Sequence, residues 1–295
     1  MPVYERTYRA YDGTLRRGFR WAIITRQDLR VLSRFKLVQA FFLLGLLHTL
    51  MRVLHIAAYN IAQQDPTNPL AMAVREFQLL AVDAQLFAGF LQWQWFLVLV
   101  TLLLAGSGAV SNDIRNHLMD LYFSKPLSWR DYALGRFMTL TALGLALTAA
   151  PALFLLLIHL LMEPGWERWA ESAWLAGPIV AMSLLYTAPI ALVVLAASAA
   201  LGHQTYAGAA VVILVLLSGV IHGYVSALTS MDGAYTAYYA LSTPTAVNYL
   251  GEWIFRAPSH GYDVGLLPAW ASVLAVCAIA GFVFVRRVRR SEIAP

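Results

Sequence analysis

Six runs of mostly apolar residues, each about as long as a lipid bilayer is thick, divide this chain and leave few folds open to it. A hydrocarbon core of about 30 Å takes roughly 20 such residues in a helix. Inside that core every backbone N–H and C=O must find its partner within the segment. The runs extend from Leu37 to Tyr59, Phe87 to Val110, Tyr132 to Leu161, Ala173 to Leu201, Tyr206 to Leu228 and Leu266 to Val285. Only 13% of the 295 residues are charged and 60% are hydrophobic, whereas a soluble domain carries about a quarter charged residues. The expected fold is an all-α integral membrane protein of about six transmembrane helices. No Gly/Ser-rich or Pro-rich linker and no short-period repeat interrupts it, so a single membrane domain, 37–285, is expected between an N-terminal segment, 1–36, and a basic tail, 286–295.

The cations are distributed unevenly between the two sides of such a bundle. Arg6, Arg9, Arg16, Arg17, Arg20, Arg26, Arg30, Arg34 and Lys36 precede the first run. Arg115, Lys125, Arg130 and Arg136 lie between or near the second and third, and Arg286, Arg287, Arg289 and Arg290 follow the last. The alternate loops contain Arg75, Arg168 and Arg256 among nine Asp and Glu residues. Positively charged short loops stay on the cytoplasmic side, so both termini are expected in the cytoplasm, in keeping with an even number of spans. The first 34 residues are polar and Arg-rich, without the apolar core of a cleavable signal, so the first run is expected to remain as an anchor. The net charge of +5 calls for no nucleic acid, because topology and attraction to anionic membrane lipids account for it. The single cysteine, Cys277, excludes an internal disulfide.

Two polar segments carry periodicity of their own. From Thr14 to Arg34, Leu15, Phe19, Ala22 and Ile23 share one helical face while Arg16, Arg17 and Arg20 gather on another, which predicts an interfacial amphipathic helix. Between the second and third runs, Ile114, Leu118, Leu121 and Tyr122 recur at helical spacing, with Asp113, Arg115, Asn116 and Asp120 around them. Pro126 disfavours helix at Lys125. Ser128 and Asp131 then stand at the spacing of a capping box opening the third run. The pattern fits an ordinary amphipathic loop as well as a device that passes a push to the membrane.

This loop is similar to that of the ABC-2 type permeases, the transmembrane subunits of ABC exporters. Their pattern is an acidic helix, a Leu-rich turn, a proline motif and an aliphatic run ending in Gly-Lys/Arg. Asp113 to Asp120, Leu121-Tyr122-Phe123-Ser124-Lys125-Pro126-Leu127-Ser128, Arg130 and Leu134-Gly135-Arg136-Phe137 resemble it, with Asp113 where glutamate is usual. Arg26-Gln-Asp-Leu-Arg-Val-Leu-Ser-Arg and Leu241-Ser-Thr-Pro-Thr agree more loosely. The resemblance implies a permease subunit of the bacterial inner membrane that moves its substrate outward. It implies a cytoplasmic coupling helix, with Asp113, Arg115, Leu118, Asp120, Leu121, Lys125 and Pro126 meeting the ATPase. It also implies a second permease subunit, two copies of a P-loop ATPase, and a segment after the fifth span that folds back into the outer half of the membrane. No Gly-x-x-x-x-Gly-Lys-Ser/Thr motif occurs here, so ATP and Mg are expected in the partner, and no enzyme activity or cofactor is expected in this chain.

Polar residues inside spans are costly, so each is a candidate. His48, Arg52 and His55 fall on one face of the first span and offer a candidate substrate path. The simpler account is that Arg52 reaches the headgroups and the histidines bond neighbouring helices. His159, His203 and His222 read as packing or loop-end residues, and Gly219 with Gly223 as a close-approach motif. Three other readings compete. Ser107 with His159 or His222 would make an intramembrane serine protease, and His48 or His55 with His159 would bind haem. A passive channel or secondary carrier is the third, although such proteins commonly carry intramembrane carboxylates and these spans have no central Asp or Glu.

Overall fold

The computed structural model describes residues 19–64, 69, 81–124, 127–162, 169, 172–232, 236–257 and 264–293. Among them there are helices and no strands. In chain order the helices are α1 (Arg20–Leu32), α2 (Lys36–Gln64), α3 (Ala84–Gly106), α4 (Ser111–Arg115), α5 (Leu118–Phe123), α6 (Trp129–Leu147), α7 (Ala149–Met162), α8 (Ala176–Leu201) and α9 (Gln204–Asp232). A 3₁₀ turn (Thr236–Leu241) leads to α10 (Thr243–Phe255), and α11 (Leu266–Ile293) ends the bundle. Six stretches are long and apolar enough to cross a membrane: Lys36–Gln63, Ala84–Arg115, Trp129–Met162, Ala176–Leu201, Gln204–Leu228 and Leu266–Ser291. Each overlaps one of the expected spans.

The span α8 is the axis of the bundle. It packs on α3, α6, α9 and α11, and 61% of its most apolar window is buried, against 11% for α9 and 17% for α2. Leu43 and Leu46 on α2, and Ile213, Leu216 and Val220 on α9, stay exposed. A surface so rich in large apolar side chains fits lipid and not water. At Gly202 the backbone is left-handed, φ +65°, a conformation glycine enters without steric cost. This lets α8 turn back into α9 within two residues.

Two apolar cores stack along the bundle and meet at Trp95. One, around Val98, Leu102, Tyr132, Leu195 and Phe284, lies at the end where α1 and the last turns of α11 sit. The other, around Phe87, Phe90, Leu155, Ile179 and Phe255, lies at the opposite end. There α10 is wedged against α8, α9 and α11. Its 13 residues make about 20 Å of helix, too short to cross the bilayer alone. Asn248 on α10 accepts a 2.7 Å hydrogen bond from the Tyr186 hydroxyl of α8. His222 of α9 meets Thr245 at 3.0 Å.

The third span, expected to be continuous, is broken at Thr148, where the backbone turns to φ −112°, ψ −71°. Pro151 explains the break, since it has no N–H to give the Leu147 carbonyl and its ring crowds that carbonyl. Beyond the break, α7 is fixed to α2 by a buried contact of 3.1 Å between Asn60 Nδ2 and His159 Nδ1.

The helix α1 packs on α6 through a face other than its expected apolar stripe, and leaves that stripe uncovered by the chain. Phe19 and Ile23, expected on its apolar stripe, are 78% and 70% exposed, and Ile24 is buried. The reason is on α6. Gly135 has no side chain, and a Cβ there would lie 2.9 Å from Ile24 Cβ and 3.0 Å from the Trp21 carbonyl. The two helices are in backbone contact, so the side of α1 that fits Gly135 is the side that is buried. Leu15, Arg16 and Arg17 lie outside the described residues.

Candidate functional site: a buried ionic network at the loop end of the bundle

The segment joining the second and third spans starts with two backbone N–H groups, those of Val110 and Ser111, that both point at the Ser198 hydroxyl of α8, 3.1 Å from each. Such groups at a helix start have no intrahelical partner, and a buried acceptor on a neighbouring span fixes the loop to the bundle axis. The single helix expected here is two helices. His117 takes φ +54° between them, a region that Asn, Asp and His enter more readily than other side chains. The turn changes which residues point inward. Met119 is buried, Leu118 is half-buried, and Leu121, expected on the apolar face, is 58% exposed. Arg115 and Asp120 are exposed as expected, and Asp120 lies 4.0 Å from His117. Lys125 and Pro126 lie outside the described residues. The expected capping box is present: the Ser128 hydroxyl accepts from Asp131 N–H, and the Asp131 carboxylate accepts from Ser128 N–H.

Asp113 departs most from expectation. Placed by the sequence among the exposed polar residues of the loop, it is only 6% exposed. Its carboxylate accepts a hydrogen bond from Nη2 of Arg136 and a 2.6 Å bond from the Tyr132 hydroxyl. Through Nη1 the same guanidinium donates to Asp28 of α1 at 2.7 Å. Its Nε lies 3.3 Å from Tyr132 Oη, and its Cζ stands 5.3 Å from the Tyr132 ring centre. Thr139, one turn further along α6, brings its hydroxyl to 3.2 Å from Asp28. Tyr122 and Phe123 of α5 close the cluster from above, their rings 5.5 and 6.3 Å from that of Tyr132.

One arginine thus clips three elements together: α1 through Asp28, the loop through Asp113, and α6, on which it sits. Its planar fork is suited to this, offering separate N–H groups in fixed directions to two carboxylates. Counting Tyr132 as neutral, two carboxylates face one cation. Burial pushes the Asp28 carboxyl up from its ordinary value, against the downward pull of the Arg136 guanidinium and the Thr139 hydroxyl. Burial likewise raises the Tyr122 phenol. A cavity of about 260 Å³ lined by Asp28, Asp113, Arg136, Thr139, Asn112 and Gln204 opens beside the network.

Asp28, Tyr132, Arg136 and Thr139 were not among the expected site residues. The available signal was Arg136 itself, an arginine in the second turn of an apolar span, which needs a partner. The other candidate group, His48, Arg52 and His55, does not converge on a single point. Arg52 Nη1 lies 3.5 Å from His55 Nδ1, while His48 stacks on Phe90 of α3 at 4.9 Å. None of the three lines the apolar cavity of about 260 Å³ between α3, α8, α9 and α10, whose walls include Trp95, Tyr186, Pro189, Ser218 and Pro244. Gly219 and Gly223 have no neighbour within 4 Å of a Cβ added to either, so among the described residues they mediate no close helix approach within the chain.

No protein-family model matches the chain, and no curated protein matches it.

Proposed function

We propose that the chain is the membrane-spanning permease subunit of an ABC-2-like exporter, driven by a separate P-loop ATPase present in two copies and paired with a second permease subunit. The reading rests on the resemblance in the loop sequence and on one structural relationship. The loop exposes Arg115, Asp120 and Leu121 to a partner, while Asp113 and Arg136 couple it to α6 and α1. A push on its exposed side is therefore delivered to a membrane span and to the helix before the first span, and not absorbed by a slack connection.

In this reading the loop and both termini face the cytoplasm of a bacterial cell, because Arg20, Arg26, Arg30 and Arg34 before α2 and the arginines at the end of α11 fall at this end of the bundle. The helix α1 lies along the membrane surface with Phe19, Ile23 and Val31 in the headgroup region, since these exposed apolar residues alternate with Arg20, Arg26 and Arg30. The segment around α10 is the one that folds back into the outer half. ATP and Mg belong to the partner.

The test is purification in mild detergent from the native membrane, with the bound proteins identified and their ATPase rate measured. A P-loop ATPase is expected to come with the chain. Reversing charge at the loop, Arg115→Glu with Asp120→Lys, is expected to cut its recovery at least tenfold. Arg256→Glu, at the opposite end, is expected to leave it unchanged. Met119→Asp, which puts a charge under the loop, is expected to uncouple hydrolysis from transport. Full transport by the lone chain, or equal tolerance at the two ends, overturns the reading in favour of a passive carrier.

A further inference from the structure

A second charged site lies away from the ionic network, at the end of the last span. Arg286, Arg287 and Arg290 on α11, with Phe282 and Val283 beneath them and Ala200 from the last turn of α8 beside them, line a pocket of about 330 Å³. Among the described residues no carboxylate pairs with any of the three arginines, and the ion pairs present all lie elsewhere. The helix terminus does not account for this much charge. Its dipole amounts to about half an elementary charge, and Arg290 in the last turn already answers it. The pocket is also two-sided. Arg286 stands over the Phe282 ring at 5.8 Å, and Phe282 is 63% exposed on an apolar span. The cationic wall thus continues directly into a surface suited to hydrocarbon.

We propose that this pocket binds the phosphate of an anionic phospholipid, with the arginines holding the phosphate oxygens and an acyl chain lying along Phe282 and Val283. Guanidinium forks match phosphate oxygens in pairs, and basic pockets between spans are suited to anionic headgroups. A soluble phosphate offers the same oxygens but leaves the apolar floor uncovered, which favours the lipid. Arg289 supplies an internal control, since it is exposed on the same helix but does not line the pocket.

The experiment is titration of the full-length protein, purified with its bound partners and stripped of lipid, using phosphatidylglycerol, phosphatidylcholine and inorganic phosphate, with retained ligand read by native mass spectrometry. Phosphatidylglycerol is expected to bind at least tenfold more tightly than phosphatidylcholine. Arg287→Gln should weaken it about fivefold, and the triple change at Arg286, Arg287 and Arg290 about a hundredfold. Arg289→Gln should stay within about twofold of the parent. If the triple variant does not purify as a folded species, the single variants decide. Equal loss from Arg287→Gln and Arg289→Gln reduces the effect to general attraction between a basic tail and anionic lipid, and overturns the pocket. Displacement of phosphatidylglycerol by an equal concentration of inorganic phosphate reassigns the site to a soluble anion. Unchanged lipid binding with loss of a bound protein reassigns it to a protein interface.

Discussion

Asp28 and Asp113 stand on separate elements, one before the first span and one after the second, and both hold the same guanidinium, that of Arg136. The arrangement is asymmetric. Asp113 also accepts from the buried Tyr132 hydroxyl, while Asp28 has Thr139 beside it and is somewhat more open to solvent.

Removing the shared cation should therefore do more damage than removing either carboxylate. Arg136→Gln leaves the buried Asp113 carboxylate and the partly buried Asp28 carboxylate without a cation, and breaking a buried pair costs about 3 to 5 kcal/mol. Asp28→Asn leaves Arg136 paired with Asp113 and should cost distinctly less. Thermal unfolding in detergent, followed by tryptophan fluorescence and size-exclusion profile, ranks the variants. Equal losses from the two substitutions would show that Arg136 does not bridge them.

The pH dependence of stability has a definite sign. Because burial raises the Asp28 carboxyl above its unfolded value, the stability linked to it is fully present below the unfolded value of about 3.9 and is lost as pH rises through the folded value. Asp28→Asn lacks this titration. The parent should thus lose stability relative to Asp28→Asn as pH rises from about 4, with no further change once Asp28 is ionised. Melting curves of both proteins across the acidic range test this, and a parent that gains on the variant as pH rises would reverse the assignment.

Gly135 is expected to tolerate no side chain. A methyl group would press on Ile24 Cβ and the Trp21 carbonyl, neither of which can swing aside, and overpacking of this kind costs about 1 to 3 kcal/mol. The loss should be local to α1. Hydrogen exchange of amides 20–32 in Gly135→Ala should quicken while that of α8 stays as in the parent.

Topology is tested independently of assembly. In a background where Cys277 is replaced by serine, Ser259→Cys should react with an impermeant thiol reagent in intact cells, and Asn116→Cys only after the membrane is opened. The opposite pattern would invert the orientation proposed here.

The spans were legible because a stretch of about 20 apolar residues is a property of composition, which no distant contact can undo. The capping box was legible for the same reason, its two partners being three residues apart. The network was not. Arg136 and Asp28 are separated by 108 positions, and nothing local at either residue names the other. Which face of α1 meets the bundle was not legible either, since Gly135, on a different helix, decides it. The break at His117 turned Leu121 outward from the apolar face expected for it and brought Met119 inward, since one left-handed residue rotates everything after it about the helix axis.

The break at Thr148 has a mechanical meaning for the third span. Its near half carries Arg136 and is clamped to the loop and α1, whereas its far half is moored to α2 through Asn60 and His159. Between them the Leu147 carbonyl lacks the N–H that Pro151 cannot supply, so the rod is weakest at the point where its two anchorages part. In the proposed permease, a load applied at the loop is expected to bend the span at that joint before it reaches the far moorings, so that the span would act as a lever with a built-in fulcrum.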